Sequence, residues 1–375
     1  MPADIETSVG GAPPQNGVIM KLAEVFGFDK SKLNWSLGLT VAIAIFIPLV
    51  LLALVGQDVY WLSVSFGVLF VGLGDPGGRL ATRATYTAVF GVIGAIVTAW
   101  AIAVGSAGWV LVTLSTVVIT LATGLVIRFG VRRFVTGSLL TAWFLIAISL
   151  PPGFGAAGIT LNPWLQALAW LAGAAAWFVL SSIVSAVRRR PERAPLVAEL
   201  PTDTTGSALT KPVVVYAVLR TLAVSGAVAI AFGFQLPYAD WMPLAAQVAM
   251  KPNAQQSRLA ATQRVVGTAL GAVVAIVLLL TVDQKYVLAG AMVLLALVGG
   301  AFRTANYALY TAGIAGTALI ALDISDPTNL TNESLRILFT LIGVAIAIAV
   351  MALAGALAKR DASRDRGIEA GSPTQ

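Results

Sequence analysis

QDVYWLSVSFGVLFVGLGDPGGRLATRATYTAVFGVIGA, from Gln57 to Ala95, is the stretch whose reading decides the fold. It runs from an acid and a Trp through a short apolar segment to Pro76, then Arg79 and Arg83, then a helix carrying Gly91-x-x-Gly94. The same order returns from Ala239 to Ala272 as ADWMPLAAQVAMKPNAQQSRLAATQRVVGTALGA. Asp58 and Trp61 are echoed by Asp240 and Trp241, and Pro76 by Pro252. Arg79-Leu80-Ala81 is echoed by Arg258-Leu259-Ala260, and Gly91-x-x-Gly94-Ala95 by Gly267-x-x-x-Gly271-Ala272. The spacing slips by a few residues between copies, as in a diverged duplication. The expectation is two like halves, each a bundle of membrane helices.

Composition supports the membrane. The chain is 58% hydrophobic and 11% charged, with mean hydropathy +0.88, where soluble domains carry about 25% charged residues. Its 375 residues have room for roughly twelve spans of about 20 residues each. The expected fold is an all-α polytopic membrane protein with about 12 transmembrane helices. These form two parallel six-helix repeats, related by an axis along the membrane normal. Residues 1–34 are read as a cytoplasmic tail with a short amphipathic helix on Val18, Ile19, Leu22, Val25 and Phe26. The first repeat is placed at 35–187, a polar Pro-bearing cytoplasmic linker at 188–211, the second repeat at 212–357 and a charged cytoplasmic tail at 358–375. No cleavable signal peptide is expected, because Asp4 and Glu6 precede a first long apolar run that begins only near Leu37.

Several chemistries are excluded. The chain has no Cys and no His, so disulfides, Cys or His metal sites and imidazole acid/base catalysis are out of reach. No phosphate-binding G-x-x-x-x-G-K-[ST] loop occurs. No metal, cofactor or enzymatic activity is expected. The net charge of +7 follows topology rather than nucleic acid. With the N-terminus in the cytoplasm, alternate loops collect Arg79 and Arg83, Arg128, Arg132 and Arg133, Arg188 to Arg190, Arg258 and Arg264, and Arg303, while the outer loops hold only Lys285 and Arg336. Both termini are therefore expected in the cytoplasm.

Candidate functional residues follow from position. The second and eighth apolar runs, Trp61 to Gly74 and Trp241 to Met250, are short. Short segments at matching places of two repeats point to a transport site, with Pro76 and Pro252 as helix-break candidates. The rival reading is that polar flanks extend ordinary helices. Arg79, Arg83, Arg258 and Arg264 stand at helix starts, where free N–H groups and guanidinium together draw carboxylates; they also read as lipid-facing topology anchors. Arg220 lies inside the seventh run and Gln247 inside the eighth, and an intramembrane charge usually faces protein or a water-filled path. Snorkelling to the interface is the alternative for Arg220. Tyr307 and Thr311 offer contacts to a ring-bearing solute, or core packing. Thr113, Thr116, Thr120 and Thr123 form a polar stripe, read chiefly as helix contacts, as is Gly267-x-x-x-Gly271. Asp58, Trp61, Asp240 and Trp241 are candidates for the outer mouth, the acids for proton exchange; plain solvation of the acids and ordinary interfacial Trp are the alternative reading.

The duplicated pattern resembles the fusaric acid resistance (FUSC) and aromatic acid exporter family of bacterial inner-membrane proteins. The resemblance is carried by Asp58-x-x-Trp61, Asp75-Pro76-Gly77-Gly78-Arg79-Leu80, Trp241-Met242-Pro243, Lys251-Pro252, Arg264-x-x-Gly267-Thr268-x-x-Gly271-Ala272 and Arg303-x-x-Asn306-Tyr307-Ala308-Leu309-Tyr310. It implies a bacterial cytoplasmic-membrane secondary efflux permease for small organic, chiefly aromatic, carboxylate anions, with protons as the coupling ion. The partners are then the lipid bilayer and the anion, and no nucleic acid. Larger members carry a cytosolic domain between the halves, which the linker here replaces. A passive organic-anion channel and a non-transporting scaffold of the cell envelope stand as alternatives.

Overall fold

Runs of Ala, Leu, Val and Ile without strand-like alternation fold here as helices, which satisfy their backbone N–H and C=O groups internally, as lipid requires. The computed structural model describes residues 26–27, 30–156, 158–188, 209–237, 241–250, 254–323, 334–335, 338–353 and 355, with side chains at all of these except 131, 132, 156, 188, 254–261, 264, 265, 322 and 323. Among them there is helix, turn and loop but no strand. In chain order the helices are α1 (Trp35–Leu54), α2 (Trp61–Gly74), α3 (Leu80–Gly105), α4 (Trp109–Leu125), α5 (Val131–Ala147) and α6 (Leu150–Ala156). They continue with α7 (Pro163–Arg188), α8 (Lys211–Gly233), α9 (Trp241–Ala249), α10 (Ala254–Thr281), α11 (Lys285–Phe302) and α12 (Tyr307–Asp323). A last apolar helix, α13, covers Leu338–Leu353. The N-terminal amphipathic segment up to residue 25, most of the linker and the C-terminal tail lie outside the described residues.

The expected twelve spans in two six-helix repeats are not what the described residues form. Among the described residues only seven helices are long and apolar enough to cross a membrane: α1, α3, α4, the α5–α6 pair, α7, α8 and α11. The physical reason is length. A span needs about 20 residues for a hydrocarbon core of about 30 Å. α2 has 14 residues and α9 has 9, or about 21 Å and 14 Å of rise. α10 has 28 residues, of which Val266–Thr281 is the apolar stretch among the described side chains. Among the described residues the apolar stretches of α12 and α13 are Tyr307–Ala321 and Leu338–Leu353. Apolar runs counted as spans are in part helices buried in protein.

Packing also denies two separate bundles. α1 lies along α11, and α8 lies along α4, so each half gives a helix to the other. Within the first half α7 packs on both α2 and α3; in the second, α12 packs on both α10 and α11. α2 is buried from Leu62 through Leu73, as expected of a helix that is apolar all round. The outer helices turn Leu54, Ile96, Val118, Leu168 and Leu222 outward, an apolar exterior suited to lipid. Close approach explains the glycines. A Cβ on Gly94 would strike the Trp170 indole, and one on Gly271 would strike the Ala312 carbonyl. Both echoed glycine pairs are therefore helix–helix contacts, α3 on α7 and α10 on α12.

Candidate functional site

Two polar centres interrupt this apolar interior. The first gathers at the C-terminal end of α2. There Asp75 leaves the helix, and the loop turns on Gly77 and Gly78 with φ of +66° and +78°, the left-handed region that favours glycine. This turn returns the chain so that Arg83, on α3, reaches back to Asp75. Arg83 Nε donates to the two carboxylate oxygens at 3.1 and 3.2 Å, and Nη2 donates to Oδ2 at 2.7 Å. Nη2 also donates to Ser181 Oγ at 2.6 Å and Nη1 to Ser185 Oγ at 3.1 Å. Trp177 Nε1 and the Gly77 N–H complete the carboxylate, at 3.0 and 2.9 Å. Both charged side chains are buried. The pair is saturated, so Arg83 has little left with which to recruit a solute.

Arg303, between α11 and α12, brings the second half onto the same place. Nη1 donates to the Gly72 carbonyl at 3.1 Å and Nη2 to that of Leu73, a cation on the negative end of the α2 dipole. Burial pushes its pKa down, and Tyr310, Tyr86 and Asp75 push it back up. The next residues extend the junction. Thr304 Oγ1 donates to the Lys32 carbonyl at 2.8 Å, and Asn306 Nδ2 to that of Gly27 at 3.0 Å, while Asn306 Oδ1 caps α12 by accepting from Leu309 N at 2.9 Å. This centre is a joint between the halves.

The second centre is Arg220, in the middle of α8. It is fully enclosed, at 0% exposure. Nη1 donates to the Thr120 carbonyl at 3.4 Å and to Thr123 Oγ1 at 3.3 Å, and Nη2 donates to Ser138 Oγ at 3.4 Å. The guanidinium stands 5.4 Å from the centre of the Phe134 ring, a weak electrostatic partner. Its Nε has no hydrogen-bond partner, and neither has the neighbouring Thr120 Oγ1. No carboxylate among the described residues contacts it. The wall is built from α4 and α5: Thr123 Oγ1 meets Thr141 Oγ1 at 2.7 Å. Gly124 lets α4 close on Ala217 of α8, where a Cβ would stand 3.1 Å from the Ala217 methyl. One turn before Arg220, Tyr216 donates to the Met250 carbonyl at 3.1 Å and ties α8 to the end of α9.

The other candidates are scattered. Arg79 is exposed at the start of α3, and Pro76 is buried in the loop after α2. Gln247 is buried on α9 with no partner for Oε1. Thr311 is buried and donates to the Tyr307 carbonyl at 2.7 Å, while the Tyr307 and Tyr310 rings lie 5.8 Å apart. Asp58 is exposed, Trp61 half-buried and Trp241 buried. Asp240 and Pro252, and the side chains of Arg258 and Arg264, lie outside the described residues. Asp75, Trp177, Ser181 and Ser185 were not singled out as site residues from sequence. Their signal was present, since Trp177, Ser181 and Ser185 recur every fourth residue along a largely apolar helix.

Comparison with curated proteins and with solved structures finds no match. The sequence model of the family described as fusaric acid resistance protein-like matches residues 224–350, from the middle of α8 through most of α13. The chain thus carries a fusaric-acid-resistance-like domain over part of its length, and Arg220 lies just before it.

Proposed function

We propose that this membrane protein is a secondary carrier that exports small organic carboxylates, aromatic acids foremost, from a bacterial cytoplasm, and that Arg220 is the anion contact at membrane depth. The observation that carries the reading is a fully enclosed guanidinium whose hydrogen-bond acceptors are all neutral. A buried cation without a counter-charge is costly, by several kcal/mol. Charges kept inside membrane helices are by default functional. Enclosure on all sides favours a carrier that closes around its solute, since a channel charge lines a continuous path. The fusaric-acid-resistance-like domain supports organic acids as the solute. Arg83, saturated by Asp75, is left out of the path.

The test is uptake of radiolabelled 4-hydroxybenzoate into inside-out vesicles, with and without an imposed proton gradient. Gradient-driven accumulation is expected, and Arg220→Gln should lower it roughly 10–100-fold, the worth of one charge-assisted hydrogen-bond set. Equilibration without accumulation would replace the carrier by a channel. No flux of any organic acid would overturn the transport reading.

A further inference from the structure

We infer that the Arg220 site is built for solutes carrying one negative charge and rejects those carrying two. The inference rests on the carrier reading above and concerns the same guanidinium. Of the five N–H groups of Arg220, neutral oxygens of Thr120, Thr123 and Ser138 engage three, all at 3.3–3.4 Å. Nε–H has no partner, and one further N–H remains by count. Two N–H groups are what the two oxygens of a single carboxylate accept. The unpartnered Thr120 Oγ1 adds a hydroxyl donor beside them.

Charge decides the class. The described side chains that meet Arg220 or lie one turn from it are uncharged: Thr120 and Thr123 on α4, Phe134 and Ser138 on α5, and Tyr216 on α8. One carboxylate therefore makes a neutral pair with Arg220 in low-dielectric surroundings. A second carboxylate would have no cation to meet and would be buried uncompensated, which is strongly unfavourable. The discrimination between a monoanion and a dianion of the same skeleton should reach at least about a hundredfold.

Matched pairs on the unmodified protein test this without relying on a variant that folds. Benzoate, monomethyl phthalate and phthalate would be compared at a pH where phthalate is a dianion, with succinate and its monomethyl ester as an aliphatic pair. Two readouts run in parallel: competition for labelled 4-hydroxybenzoate uptake, and direct binding to the detergent-purified chain. The expected result is that each monoester competes and binds while its parent diacid does so about a hundredfold more weakly. Equal action by phthalate and its monoester would overturn the charge selection while leaving the carrier reading intact. Selective binding of monoanions without any flux would uphold the selection and overturn the carrier. Absence of binding by every anion would overturn both. A Ser138→Lys variant, which adds a second cation, should narrow the gap between phthalate and its monoester; an unchanged gap in a folded variant counts against the site.

Discussion

Arg79 and Arg83 differ by one helical turn and read alike in sequence, yet the protein uses them differently. Arg79 is exposed, whereas Arg83 is buried against Asp75. Removing one partner of a buried pair strands the other charge, at about 3–5 kcal/mol. Asp75→Asn and Arg83→Gln should each lower the thermal midpoint of the detergent-solubilised protein markedly, while Arg79→Gln should leave it nearly unchanged. The double variant Asp75→Asn/Arg83→Gln should recover part of the loss, because neither neutral side chain leaves an unpaired charge. Equal effects of Arg79→Gln and Arg83→Gln would show that burial of the pair contributes nothing. Arg220 was legible from sequence because a charge inside an apolar run stands out on its own. Asp75 was not, because an acid next to Pro and Gly at the end of a run looks like an ordinary loop residue until α7 is folded against it.

Short helices are the element-scale signature of this fold. α2 and α9 were recognisable as short from their apolar lengths, and both are buried. Hydropathy alone could not separate a helix apolar because it meets lipid from one apolar because it meets protein, and α2 and α9 are of the second kind; among the described residues seven full-length candidates remain. The glycines mark the difference. Gly271 faces the Ala312 carbonyl and Gly316 of α12, whereas Gly226 on α8 has no atom within 4 Å of where a Cβ would stand. Gly271→Leu should force α10 from α12 and cost about 1–3 kcal/mol or more. Gly226→Ala should be neutral or stabilising by up to about 1 kcal/mol, through helix propensity. Thermal unfolding of the two variants in one detergent checks both. A Gly271→Leu protein as stable as the Gly226→Ala protein would mean that α10 and α12 do not touch at this point.

At the scale of the whole molecule, the duplicated sequence invites a picture of two independent bundles side by side, and the contacts argue for interdependence instead. α1 lies on α11 and α4 on α8, so each half lends one of its long helices to the other. The loop from Arg303 to Asn306 reinforces the exchange by holding the end of α2 and the segment before α1 through Gly72, Leu73, Lys32 and Gly27. At the opposite pairing, every side-chain hydrogen bond of Arg220 on α8 goes to α4 or α5 of the first half. Neither half then possesses a complete Arg220 site. A chain divided between residues 199 and 200 should give halves that are unstable when made singly, because each exposes a helix-sized apolar face and, in the second half, a bare guanidinium at membrane depth. Made together, they should reassemble and co-purify, since the contacts that cross between halves need no covalent link. Adding Gly38→Leu, which would drive a side chain into the Leu297 carbonyl on α11, should weaken co-purification of the divided chain more than it destabilises the intact one, where the linker holds the halves at high effective concentration. Stable, monodisperse single halves would refute the exchange, and with it the requirement that both halves build the proposed anion site.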